Sequence, residues 1–170
     1  YDRDINIVVA LPSEHLTLWG DLCALRNFDV PHKVVEGGAN RFESVRNALF
    51  AVNETECLVA VHDGARPLVS RQVIAAGFET AARCGTAIPT VPVTDSIRQL
   101  DRNGSHNVSR ESLVAVQTPQ TFRVEILKEA YTTAFSPLFT DDASVVEFRG
   151  TPVTLYPGDV NNIKITHPMD

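Results

Sequence analysis

"CLVAVHDGARPLVSRQVIAAGFETAARCGTAIPTVPV", residues 57–93, decides the fold, because strand, loop, helix and strand follow one another without a gap. "CLVAVH" is a short apolar, β-branched run of the kind a strand buried on both faces requires. Ser70 stands where an N-cap belongs, with Val73, Ile74, Gly77 and Ala81 recurring at helical spacing and Gly85 placed to stop the helix. "TAIPTVPV" is strand again. A β-α-β unit of this length crosses over right-handedly and predicts an open α/β sheet of mostly parallel strands. Ligands of such sheets bind at the carboxyl ends of the strands, and there the first strand turns into His62, Asp63 and Arg66, with Pro67 shaping the departing loop. Taken alone, an exposed turn with an incidental Asp/Arg pair explains the stretch equally well.

The same alternation extends outward. "INIVVAL" (5–11) predicts a buried strand, and Ser13 a cap for a helix with Leu18, Trp19, Leu22 and Leu25 inward. "HKVV" is a second strand ending at Gly37-Gly38. Asn40 with Glu43 three residues on reads as a variant capping box, and Phe42, Val45, Leu49 and Val52 form one helical face. Beyond the central unit, residues 96–116 lose the helical period. Asn103-Gly104 there is a strong hairpin signal between loosely alternating polar flanks, which predicts a protruding arm packed on a second subunit. A helix is expected from Val124 to Ala134, with Val124, Leu127, Tyr131 and Ala134 on one face. A second is expected to be capped by Thr140, with Asp141 and Asp142 in its first turn; capping is favoured over a metal pair for at least one of these acids. "PVTLYPGD" and "NIKIT" read as the last strands. Lys164 on the latter either snorkels at an edge or sits beside an anion.

Composition narrows the function classes. The 170 residues are 44% hydrophobic with a net charge of −6, enough for the core of one domain and without the positive field that non-specific nucleic-acid binding needs. No apolar stretch reaches the roughly 20 residues that span a bilayer. A cytoplasmic protein with no nucleic-acid or membrane partner is the expectation. Cys23, Cys57 and Cys84 lie too far apart to suggest a zinc site or disulfide framework and are expected as small core residues. The five histidines are equally scattered. Neither G-x-G-x-x-G nor G-x-x-x-x-G-K-[ST] occurs, so dinucleotide and P-loop phosphate cradles are missing. A tyrosine at position 1 and the helix-opening pattern of "THPMD" lead us to expect an N-terminal unit and a C-terminal helix outside this sequence.

"GGANRFESVRNAL", "VHDGARPLV", "PVTDSI", "TPQTF", "TDDAS" and "NIKIT" together, in this order and at these approximate spacings, resemble the 2-C-methyl-D-erythritol 4-phosphate cytidylyltransferases of the non-mevalonate isoprenoid pathway. The resemblance runs from about Ile5 to Asp170. It implies a single Rossmann-like nucleotidyltransferase domain over 1–170, a homodimer clasped by the 96–116 arm, and transfer of CMP from CTP to a sugar-alcohol phosphate with release of pyrophosphate. It implies Mg²⁺, held mainly by the CTP phosphates, with Asp63 as a protein ligand.

By the same resemblance Gly38, Ala39 and Ser44, with Asp63, bind the nucleotide. Ala39 stands where the family often has aspartate, which leaves backbone contacts there. Asp63, Arg66 and Lys164 are the expected catalytic set. Ser96, at the family's usual threonine, and Arg110 would reach the partner's site, and Thr118 and Thr140, with Arg66 and Lys164, would touch the substrate. The family's glycine-rich triphosphate loop, with its arginine and proline-lysine pair, has no counterpart in this sequence and is expected upstream of Tyr1. Two alternatives stay open: a ribitol-5-phosphate cytidylyltransferase, and a non-catalytic nucleotide-binding or dimer scaffold.

Overall fold

A computed structural model describes residues 1–2 and 4–170. The strands are β1 (Val8–Leu11), β2 (Lys33–Glu36), β3 (Leu58–Val61), β4 (Thr86–Pro92), β5 (Ile97–Asp101), β6 (Gly104–Val108), β7 (Val114–Val116), β8 (Gln120–Arg123) and β9 (Leu155–Pro157). The helices are α1 (Leu16–Leu25), α2 (Arg41–Phe50), α3 (Arg71–Cys84), α4 (Val124–Ala130) and α5 (Asp142–Phe148), with 3-10 turns at Ser13–His15 and Arg110–Ser112. The chain divides into two compact units, one of residues 1–57 and 124–151, the other of 58–123 and 152–170.

In the first unit β1 and β2 pair in parallel, with Val8 opposite Lys33. The strand expected over 5–11 is four residues long and only half-buried, with Ile5 and Ile7 exposed. Ser13 does not cap α1 but begins the preceding 3-10 turn. Leu18, Leu22 and Leu25 are exposed rather than inward, because α1 turns Trp19 instead into a corner with Phe28 and His32. The core of this unit is aromatic and aliphatic: Phe42 stacks on Tyr131 at 4.7 Å and on Phe139 at 5.6 Å, with Leu49, Val124, Leu127, Val145 and Val146 buried. Helix α4 ends at Ala130, short of the expected Ala134, which is exposed while Tyr131 closes the last turn on Leu127. Asp141, not Thr140, caps α5. Its carboxylate accepts from the Ser144 N–H in a reciprocal capping box, satisfying two end donors that a threonine hydroxyl one residue earlier would not.

The second unit carries the central β-α-β segment. Ser70 accepts from the Val73 N–H, and Gly85 ends α3 at a φ of 85°, where a side chain would be strained. Val73, Ala81, Ala87 and Tyr156 form its core cluster. Gly77 lets α3 approach closely, since a Cβ there would meet the Tyr156 hydroxyl at 2.7 Å.

The sheet of this unit is mixed rather than mostly parallel. β8 pairs antiparallel with both β3 and β4, β7 antiparallel with β4, and β9 parallel with β4. Strands joined through helices run parallel, but β8 follows the hairpin excursion without a crossover helix and enters reversed. "NIKIT" is no strand: Ile163 and Ile165 are exposed, and the segment bonds through the Ile165 N–H to the Ala65 carbonyl.

β5 and β6 form the expected hairpin. Its two-residue turn is Arg102-Asn103, one step earlier than the sequence signal, because Asp101 pairs with Gly104. Val114–Val116, at the end of the expected arm, belong to the sheet as β7. Cys84 is exposed, against the expectation of a core residue, and all three thiols are free. Among the described residues no helix is long and apolar enough to cross a membrane.

Candidate active site

In the first unit the chain leaves β2 through Gly37-Gly38-Ala39-Asn40 and enters α2. Asn40 accepts from the Glu43 N–H at 2.9 Å, the Glu43 carboxylate accepts from Ala39 N–H at 2.9 Å, and the Ser44 hydroxyl accepts from Gly38 N–H at 3.0 Å. Ser44 also donates to the Asn40 carbonyl at 2.9 Å, so its hydroxyl shapes the turn and keeps one lone pair for a ligand. Gly38 is obligatory here, since a Cβ would lie 2.2 Å from that of Glu43.

Arg41, the first residue of α2, reaches Asp142 at the start of α5 at 2.7 Å. Asp142 is fully buried and also accepts from the Tyr131 hydroxyl at 2.6 Å. Burial and this carboxylate push the Tyr131 phenol far above its usual range. Asp142 is therefore a structural anion. Thr140, just before it, is exposed.

The second unit gathers the other expected residues at the carboxyl end of β3. A turn closed by the Arg66 N–H on the Asp63 carbonyl places both side chains on one side. The Asp63 carboxylate lies 3.0 Å from Lys164 Nζ and 3.6 Å from Arg66 Nε. Its side chain is 14% exposed against 45% for Lys164, so the lysine holds the anion from the solvent side. Among the described residues, the Lys164 and Arg66 cations face this carboxylate.

Thr118 fixes this loop from the bend between β7 and β8. Its hydroxyl accepts from the Asp63 N–H at 3.0 Å and contacts His62 Nδ1 at 3.1 Å. His62 Nε2 lies 3.0 Å from the Arg66 carbonyl, which can only accept, so Nε2 carries the proton and Nδ1 receives the Thr118 hydroxyl hydrogen. Desolvation of the ring holds His62 below its usual pKa and favours this neutral tautomer.

Asp63, Arg66, Thr118 and Lys164 are thus brought together, as Gly38, Ala39 and Ser44 are in the other unit. Ser96 and Arg110 sit exposed at the base of the hairpin, where Arg110 donates to the Thr94 carbonyl. Gln117 and Asn162 were not among the expected site residues. Gln117 both donates to the Asp159 carbonyl at 2.8 Å and accepts from its N–H at 3.2 Å. The available signal was a side-chain amide beside Thr118 and another two residues before Lys164, inside two of the quoted motifs or at their edges.

Comparison with known proteins agrees with the resemblance. The family model described as 2-C-methyl-D-erythritol 4-phosphate cytidylyltransferase matches residues 3–170. Relatives bearing that name from Bacteroides thetaiotaomicron and Bacteroides fragilis are 48% and 45% identical over 170 residues, covering all of this chain and 77% of each relative. The crystal structure of the Thermus thermophilus enzyme matches with a TM-score of 0.81 at 36% identity, covering 98% of this chain and 79% of that one. The Francisella tularensis structure matches with a TM-score of 0.78 at 30% identity, over 95% and 75%.

Proposed function

Because the chain belongs to the 2-C-methyl-D-erythritol 4-phosphate cytidylyltransferase family, we propose that Asp63, Arg66 and Lys164 carry its transfer of CMP from CTP to the alcohol phosphate. A phosphate oxygen of methylerythritol phosphate attacks the α-phosphorus, and the bond to the pyrophosphate leaving group breaks. Nucleophile and electrophile are both anions, so positioning and electrostatics supply most of the catalysis. The observation that supports this division of labour is one carboxylate flanked by two cations at the end of β3, 3.0 and 3.6 Å away. Lys164, the more exposed cation, can swing from Asp63 to a phosphate oxygen. Arg66, held in the loop, stabilises charge where it stands.

Mg²⁺ fits this site as a shared ligand. Among the described residues no cluster of three or more potential ligands exists, but Mg²⁺ commonly takes one or two carboxylates plus substrate phosphates and waters. Asp63 would hold it, and the ion would neutralise triphosphate charge and polarise the α-phosphoryl group. The backbone of Gly38 and Ala39 and the remaining lone pair of Ser44 would receive the cytosine. Thr118, Thr140, Ser96 and Arg110 would contact the alcohol phosphate, the last two from the partner of a homodimer. The exposure of both hairpin strands, apart from Ile97 and Val108, supports the arm as a subunit contact. The reading requires a compartment supplied with CTP, the cytoplasm, whose reducing milieu suits three free cysteines.

Pyrophosphate release by the full-length gene product with CTP and Mg²⁺ tests the proposal. We expect release with methylerythritol phosphate and loss of it in Asp63→Ala and Lys164→Ala. Release confined to ribitol phosphate would overturn the substrate, and undiminished rates in both variants would overturn the site.

A further inference from the structure

Asn162 is fully buried, although it lies two residues before a half-exposed lysine. Its Nδ2 donates to the Thr118 carbonyl at 2.8 Å. That bond fixes the amide orientation, because a carbonyl can only accept, and leaves Oδ1 buried without a hydrogen-bond partner. Its own backbone carbonyl accepts from Arg66 Nη1 at 2.7 Å and from Gln117 Nε2 at 3.3 Å.

An orphaned buried acceptor is costly, and a residue that merely filled this space would do better without polar atoms. What the amide provides is connection. Arg66 Nε is 3.6 Å from Asp63, beyond hydrogen-bond distance, and has no hydrogen bond of its own, so the guanidinium is oriented by the backbone carbonyl of Asn162, which the amide's bond to Thr118 anchors, rather than by a two-point clamp on the carboxylate. Thr118, whose hydroxyl receives the Asp63 N–H, is oriented through its carbonyl by the same residue.

We propose that Asn162 is a positioning residue for the phosphoryl transfer: it sets Arg66 and Thr118 relative to Asp63 and touches neither substrate nor metal. The proposal rests on reading the Asp63 cluster as the reacting centre. Losing a residue that orients those in contact with the substrate typically costs 10- to 100-fold in activity, the scale known for the outer partners of metal ligands. Asn162→Ala should lower kcat by about that factor while the KM for CTP changes little. Asn162→Asp keeps the volume but sets an acceptor against the Thr118 carbonyl, so it should be no better than alanine.

The deciding experiment is a double-mutant cycle by steady-state pyrophosphate release, with thermal melting of every variant. In an Arg66→Ala background, Asn162→Ala should cost at most about threefold, because the backbone carbonyl that the amide anchors no longer has a guanidinium to hold and only its effect through Thr118 remains. The full loss in both backgrounds, or a wild-type rate for Asn162→Asp, would overturn the proposal. If Arg66→Ala alone leaves turnover unchanged, the underlying reading of the centre fails instead. Should Asn162→Ala not fold, Asn162→Ser, whose hydroxyl is too short to reach the Thr118 carbonyl, is run through the same cycle with the same criteria.

Discussion

Two ion pairs of similar geometry serve different ends, and burial tells them apart. Lys164 and Asp63 are 3.0 Å apart with the lysine 45% exposed, so solvent screens the pair and it adds little to stability. Arg41 and Asp142 are 2.7 Å apart with the aspartate at 0% exposure, so removing the arginine leaves an anion that water cannot reach. Lys164→Ala should therefore cut turnover by at least about a hundredfold, the scale for losing one preorganised charge, with nearly unchanged melting. Arg41→Ala should do the reverse in emphasis, lowering stability by about 2 kcal/mol, below the range for fully buried pairs because Arg41 is itself 36% exposed. Denaturant titration and pyrophosphate release on both variants check the contrast, and equal destabilisation by the two would refute it. The division was only half legible in the sequence. A lysine between two isoleucines announced itself as unusual, whereas nothing in "TDDAS" says that its second aspartate is the buried one; that follows from an arginine 101 residues away.

At the scale of elements, the turn before α2 and the β5–β6 hairpin carry opposite kinds of information. The turn is dictated locally: Asn40 caps, Glu43 and Ser44 take the Ala39 and Gly38 amides, and Gly38 has no room for a methyl group. Gly38→Ala must displace Glu43 and should both destabilise the protein and raise the KM for CTP at least several-fold, if this turn receives the base. Gly64→Ala, with nothing within 4 Å of the added Cβ, is the matched control and should leave melting nearly unchanged. A silent Gly38→Ala would show the turn to be pliable. Such local chemistry is why the Asn40 and Ser70 caps and α3 could be read from the sequence, while the antiparallel entry of β8 could not, since strand direction depends on where the preceding hairpin returns the chain. The hairpin is defined by what it does not bury, Leu100 being 79% exposed. If the proposed homodimer forms through the hairpin, replacing residues 98–107 by a two-glycine link should convert it to a monomer by analytical ultracentrifugation while β4 and β7 stay paired. A shortened protein that remains a dimer would remove the hairpin from the interface.

Across the whole molecule each unit encloses one tyrosine, and both make stability fall at alkaline pH. Tyr131, between Asp142 and the Phe42 ring, is pushed far upward by desolvation and by the carboxylate; Tyr156, whose hydroxyl donates to the Val73 carbonyl at 3.1 Å, is pushed to about 12 by burial. An unfolded chain releases these protons near pH 10. Above that value the native protein holds protons that the unfolded one has lost, so stability falls as pH rises. The contribution of Tyr156 is complete below pH 10 and disappears as pH climbs through about 12. Tyr156→Phe should lower stability at pH 8 by about 1 kcal/mol, for the lost hydrogen bond, and flatten the decline between pH 10 and 12. Urea titrations at pH 8, 10 and 11.5 measure both terms at once. If the wild-type and Tyr156→Phe curves fall in parallel, the phenol ionises in the native state at its ordinary pKa, and α3 and β9 are not packed closely enough around it to exclude water.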